Sequence, residues 1–176
     1  MTGTCTGTDW RQAVLVSLKK VDTQSAAYIN DRCVKIGFYK QGPHTSAIWF
    51  PGQRIFLNPR YYSLETDPSD PLLLSILIHE VCHLRQGFAL ALSVYGEMEA
   101  WQLGFSVHRQ LSGIAYHPNL VEFMSLPLSW DRDVLRRAQQ LMLGYAGKSY
   151  RADLLPLYPI GKELVFWLGL GRSAEK

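Results

Sequence analysis

The segment from Pro71 to Gly87 constrains the fold more than any other part of this 176-residue chain. It reads PLLLSILIHEVCHLRQG, and its apolar residues continue around nearly all sides of a helix. Asp70 stands where a helix N-cap is expected, Pro71 takes the first helical position, and Gly87 is typical of a C-terminal stop. The sequence therefore predicts a buried central helix from Pro71 to about Gln86.

Two histidines and a glutamate interrupt this apolar helix. His79 and His83 are four residues apart, so they lie one turn apart on the same face, with Glu80 beside that face. This is the H-E-x-x-H pattern, in which both histidines bind zinc and the glutamate acts as general base towards a water. Polar side chains on so apolar a helix are costly without partners. The pattern therefore predicts a zinc site.

Strand and helix patterns surround this segment. A helix is expected from Asp9 to about Asn30, followed by strands near 34–39, 46–50 and 54–58. Pro51-Gly52 favours a turn, so the last two strands are expected to pair as a hairpin. Helices are also expected near 93–111 and 130–147, with a loop around His117-Pro118 and a proline-containing tail over the surface. We predict a single α+β domain, 1–176, with a small, mostly antiparallel sheet.

Composition and charge exclude several classes of protein. A net charge of +3 with scattered basic residues is weak for a nucleic-acid surface. The most apolar late stretch, 164–171, is too short to span a membrane, and the first ten residues lack a secretion signal. Three distant cysteines, Cys5, Cys33 and Cys82, suggest free thiols in a reducing compartment. The expectation is a cytoplasmic protein without a nucleic-acid or membrane partner.

A catalytic zinc normally has three protein ligands and one open position. The segment YGEMEAW offers Glu97 and Glu99, which lie about 160° apart on a helix, so both cannot face the metal. Glu97 shares the apolar side that should face the core, and Ala100 would allow close approach of this helix to the motif helix. Glu97 is therefore the preferred third ligand, with Glu99 as the alternative.

Other residues with metal or acid-base chemistry are less constrained. Cys82 lies on the flank opposite Glu80 and is expected to be a small buried hydrophobe. An electrophile that stabilises an oxyanion is also expected. The candidates, among which the sequence does not choose, are His44, His108, His117, Tyr145, Tyr150 and Tyr158.

HEVCH on one helix and EMEA on a following helix resemble the motifs of the gluzincin group of zinc metallopeptidases. The resemblance covers roughly residues 46–111 and implies a compact zincin-like fold, with Glu97 as a metal ligand. An astacin-like extension is excluded, because Gln86 and Ala89 occupy the positions of its glycine and histidine. Many gluzincins also carry an acid four residues after the ligand glutamate, which orients the first histidine. Here that position is Trp101, so this support must come from elsewhere.

These observations predict a zinc metallopeptidase that holds Zn²⁺ through His79, His83 and Glu97 and uses Glu80 as general base on a peptide or protein substrate. The substrate is expected along one strand of the hairpin. One alternative is a weakly active or inactive zincin-like domain that binds a peptide or protein partner. A second alternative is a helical interaction module without metal. The oligomeric state is not predicted.

Overall fold

The computed structural model describes residues 9–147 and 150–168. It is an α+β structure in which helices predominate over a small sheet. The chain contacts divide it into two compact units. The first includes the residues up to Arg85 together with Ala100–Ala115, and the second holds Gln86–Glu99 and the residues from Tyr116 onward. The prediction of one domain stays a prediction.

Two helices begin the first unit, where the sequence predicted one. Helix α1 spans Asp9–Val21 and helix α2 spans Thr23–Asp31. Asp22 separates them in an extended conformation, and its side chain accepts hydrogen bonds from the backbone N–H groups of Gln24 and Ser25. An aspartate that caps a new helix in this way ends the preceding one. The prediction of one continuous helix was therefore wrong.

The sheet has three strands in the order β1, β3, β2. These are β1 (Lys35–Phe38), β2 (Ala47–Phe50) and β3 (Arg54–Leu57). The predicted hairpin is confirmed, because β2 and β3 pair antiparallel. Strand β1 pairs with β3 in parallel, so the sheet is mixed and not mostly antiparallel as predicted. Since β3 is central, it cannot offer an edge to a substrate, whereas β2 can.

The central helix α3 spans Pro71–Gln86, as predicted. The Asp70 side chain accepts a hydrogen bond of 2.7 Å from the backbone N–H of Leu73 and so caps it. Gly87 follows in a left-handed conformation at φ 73°. Leu73, Leu77 and Ile78 are fully buried and pack in one core with residues of α1, α2 and the sheet. Helix α3 therefore stands at the centre of the first unit.

The second unit is helical. It contains α4 (Phe88–Ala91), the first turns of α5 (Val94–Ser112), α6 (Pro118–Ser125), α7 (Arg132–Ala146), a short 3-10 helix (Ala152–Leu154) and α8 (Ile160–Trp167). The α7 helix matches its prediction, with Asp131 as its N-cap and Gly147 at its C-terminus. The predicted loop around Pro118 is instead the start of α6, with His117 as its N-cap. Proline at the first helical position is a helix signal that we interpreted as a turn.

The cysteines differ from their prediction. Cys82 is a free, buried thiol, as expected. Cys33 is disulfide-bonded, so the expectation of a free thiol at this position was wrong. Cys5 lies outside the described residues. Because stable disulfides are rare in reducing compartments, the cysteines no longer support a cytoplasmic location.

No helix among residues 9–147 and 150–168 has both the length and the apolar character needed to cross a bilayer.

We predict that Gly96→Ala destabilises the protein by about 1–3 kcal/mol or more, as forced overpacking does. A Cβ at Gly96 would lie 2.1 Å from the backbone oxygen of Leu90 in α4, and backbone cannot turn away as a flexible side chain can. Gly144→Ala in α7 is the control, because the nearest atom to its Cβ would be 4.0 Å away and alanine favours a helix. Urea unfolding measures both variants. Equal midpoints would contradict this packing of α4 against α5.

Candidate metal centre

His79 and His83 lie one turn apart on α3, and their rings are directed towards each other. The two Nε2 atoms are 3.0 Å apart, and the rings meet edge to face with their centroids 4.6 Å apart. His83 is 1% exposed, and His79 is half-buried. Two ring nitrogens this close can share one proton or coordinate one cation.

Glu97 lies in the first turn of α5. One ligand atom from each of His79, His83 and Glu97 can be chosen so that all lie within 4.8 Å of one another. A carboxylate in the first turn of a helix also interacts favourably with the partial positive charge of the helix N-terminus. The described residues thus bring together the three predicted ligands.

The chemistry and spacing of these donors fit a zinc ion. Two imidazoles and one carboxylate are a common ligand set of catalytic zinc. With tetrahedral geometry and Zn–N bonds of about 2.0–2.1 Å, neighbouring ligand atoms lie about 3.3 Å apart. The 3.0 Å between the imidazole nitrogens is close to that separation. The whole group, with Glu97 included, lies within 4.8 Å, which is a looser limit than that separation.

Glu99, the alternative ligand, has other partners. Its Oε2 accepts a hydrogen bond of 2.9 Å from the side-chain amide of Gln86. Its charge also acts on Tyr95, whose pKa is raised first by burial and then by the Glu99 carboxylate. Glu99 is not a member of the group formed by His79, His83 and Glu97. This arrangement favours Glu97 as the ligand.

Tyr150 donates a short hydrogen bond from its hydroxyl to Oε2 of Glu97. The segment that carries it is fixed to the start of α5 by backbone hydrogen bonds. The N–H of Val94 donates to the carbonyl of Pro156 at 2.8 Å, and that of Tyr95 donates to Leu157 at 3.3 Å. Tyr150, one of the proposed electrophiles, is thus bonded to a predicted ligand from an anchored segment.

Gly104 allows α5 to approach α3 closely beside the first histidine. A Cβ at Gly104 would lie 3.1 Å from the backbone oxygen of Ser75 and 3.4 Å from Cβ of His79. Gly104 follows Glu97 by seven residues, so both lie on the same face of α5. A glycine therefore allows the close approach at this position, and the expectation for Ala100 stays a prediction.

The other proposed chemical groups lie elsewhere or have different contacts. Glu80 and Cys82 are both buried on α3, and neither belongs to the metal group. His44 is exposed, and His108 is half-buried. Three others have contacts of their own: His117 caps α6, Tyr145 packs against the His117 ring, and Tyr158 donates to the carbonyl of Trp130.

Strand β2 lies at the edge of the sheet and carries a side chain to the second histidine. The Trp49 ring lies 6.0 Å from the His83 ring, measured between centroids. The backbone N–H of Asn58 donates to the carbonyl of Ser46, so these two residues form a hydrogen-bonded pair. Hydrogen-bonded and non-hydrogen-bonded residue pairs alternate along an antiparallel ladder. By that alternation Ile48 and Phe50 bond to β3, whereas the backbone groups of Ala47 and Trp49 point to the outer edge.

The sequence contained a signal for one feature that we missed. A glycine inside a helix is destabilising by about 0.5–1 kcal/mol relative to alanine, so its presence indicates a packing requirement. Gly104 and Gly96 both fit this rule. No local pattern distinguished Tyr150 from the other tyrosines, because its contact with Glu97 joins residues 53 positions apart.

We predict that Gly104→Ala destabilises the protein by about 1–3 kcal/mol, because the new methyl group would press on Ser75 and His79. Gly161→Ala in α8 is the matched control, since nothing lies within 4 Å of its Cβ position. Thermal unfolding without added metal measures the loss. A Gly104→Ala variant as stable as the control would contradict the close contact between α5 and α3.

Comparisons with models of protein families, with curated proteins and with solved structures found no match to this chain. The resemblance to gluzincins therefore depends on the two sequence motifs alone.

Proposed function

We propose that this chain is a zinc-dependent peptidase in which His79, His83 and Glu97 hold the metal. The observation that carries the proposal is the convergence of these three side chains, with all ligand atoms within 4.8 Å. A structural zinc usually has four protein ligands. Three ligands in the described residues leave the fourth position for water or substrate, as in catalytic sites.

Bound zinc would polarise a peptide carbonyl and bring the pKa of a water close to 7. Glu80 is the general base that takes the proton of the attacking water and returns it to the leaving amine. Its place on α3, about 100° from His79, keeps it beside the ligand face instead of on it. Glu80 is buried, so little bulk water competes for its carboxylate.

The edge strand β2 suits an extended peptide. The backbone groups of Ala47 and Trp49 point outward, where a peptide can add as a further strand. Trp49 lies against the ring of His83, so a peptide on this edge would run close to the ligand histidine. We propose this edge as the substrate-binding element of a zincin-like fold.

The donor set is also compatible with other metals. Two histidines and one carboxylate bind iron(II) in some oxygenases. Glu80 favours zinc hydrolysis, because a buried carboxylate beside the ligand face is the group that a hydrolytic water requires. A metal-dependent binding domain is the second candidate. It is favoured by Trp101, which occupies the position where an orienting acid was expected. Trp101 is 6% exposed and packs against Phe105.

We predict that the purified protein binds about one zinc per chain and that His83→Ala and Glu97→Ala each abolish tight binding. Glu99→Ala is the matched control and should retain zinc, because Glu99 bonds to Gln86 and stands outside the metal group. Elemental analysis of the dialysed proteins measures zinc and iron together. Wild-type protein without metal after zinc is supplied would overturn the proposal.

We predict that Glu80→Gln retains zinc and fold but lowers peptide hydrolysis by about 10² to 10⁴, because it removes only the proton transfer. Turnover of a peptide library and zinc content are measured on the same samples. Hydrolysis equal to that of the wild type would show that Glu80 is not the base. If neither protein cleaves while both bind the same peptides, the chain is a metal-dependent binding domain.

A further inference from the structure

We propose that Tyr150 is a positioning residue for the metal centre, which holds the Glu97 carboxylate in its ligating orientation. This inference rests on the proposed function, because it assigns a role towards the same zinc ion. It gives the centre a supporting group from the C-terminal part of the chain, far in sequence from both motifs.

The contact that carries the inference is direct. The Tyr150 hydroxyl donates to Oε2 of Glu97, and Glu97 belongs to the metal group. Both side chains are half-buried, so bulk water competes less for this bond than at an exposed site. A phenol that donates to an ionised carboxylate forms a charge-assisted bond, which is stronger than a neutral one.

The backbone around Tyr150 is held in place independently of this bond. Pro156 and Leu157 accept hydrogen bonds from the first turn of α5, the turn that carries Glu97. Ala152, two residues after Tyr150, is held as well, because its carbonyl accepts a hydrogen bond of 2.8 Å from the Gln139 side-chain amide of α7. Ala152 is fully buried. The phenol is therefore presented to Glu97 by an anchored segment.

This bond does not use up the coordinating capacity of Glu97. A carboxylate has two oxygens with about four lone-pair sites, so it can accept from a phenol and still bind a cation. Glutamate otherwise loses the freedom of several rotatable bonds when it binds a metal. A carboxylate that is already oriented loses less, so zinc binds more tightly.

The contact also differs from the support expected at position 101, where an acid would orient the first histidine. Trp101 is part of the apolar packing of α5 and cannot orient a ligand by accepting a hydrogen bond as a carboxylate would. Groups that orient metal ligands typically contribute 10- to 100-fold in metal affinity. In this chain the oriented ligand is the glutamate, and the orienting group is a tyrosine from a distant segment.

The test compares Tyr150→Phe with Tyr158→Phe in the full chain. Each substitution removes one hydroxyl that donates one hydrogen bond, but Tyr158 donates to the Trp130 carbonyl and not to Glu97. Zinc affinity is measured by competition with a chelator, and the rise in Tm on zinc addition is measured in parallel. Tyr150→Phe should weaken zinc binding by about 10- to 100-fold and reduce the Tm rise, whereas Tyr158→Phe should change neither.

The outcomes distinguish a failure of this inference from a failure of the proposed function. If the wild type binds no zinc, the proposed function fails, and this inference fails with it. If the wild type binds zinc and Tyr150→Phe has the same affinity, the inference alone is overturned. If affinity is unchanged but turnover at saturating zinc falls, Tyr150 acts on the substrate, which also overturns its role towards Glu97.

Discussion

The placement of one buried imidazole, one half-buried imidazole and one buried carboxylate on the central apolar helix is the constraint on which the rest of the structure depends. His83 and Glu80 are almost inaccessible to water, and buried polar groups destabilise a fold unless they are partnered. Other elements also pack against the polar side chains of α3. Gly104 of α5 lies against His79, and Trp49 of β2 lies against His83. Strand β2 and the Gly104 region of α5 therefore both approach α3 beside its histidines.

The parts of the fold that local sequence determines were predicted well. The α3 helix, its Asp70 cap and the β2–β3 hairpin follow from periodicity, capping and turn chemistry over a few residues. The α1–α2 break and the α6 helix were missed because Asp22 and Pro118 have signals that fit either a helix start or a turn. The parallel pairing of β1 with β3 had no local signal, since strand direction depends on the route of the chain.

The candidate site likewise has one part that the local sequence predicts and another part that depends on contacts between distant segments. His79, Glu80 and His83 are fixed relative to one another by one helix, so their geometry could be predicted from spacing alone. The choice of Glu97 over Glu99 also came from helix faces, and the structure groups Glu97 with the histidines. Tyr150 could not be selected, because packing between distant segments decides which tyrosine reaches Glu97.

The hydrogen bonds from Val94 and Tyr95 to Pro156 and Leu157 have a consequence for the order of events during synthesis. The histidine helix is complete once Gln86 has been made, yet the N-terminal turn of α5 gains these carbonyl partners only after Leu157 leaves the ribosome. The native environment of Glu97 therefore forms only after residue 157 has been made. A nascent chain would carry both histidines for more than seventy further residues before the complete surroundings of Glu97 could assemble.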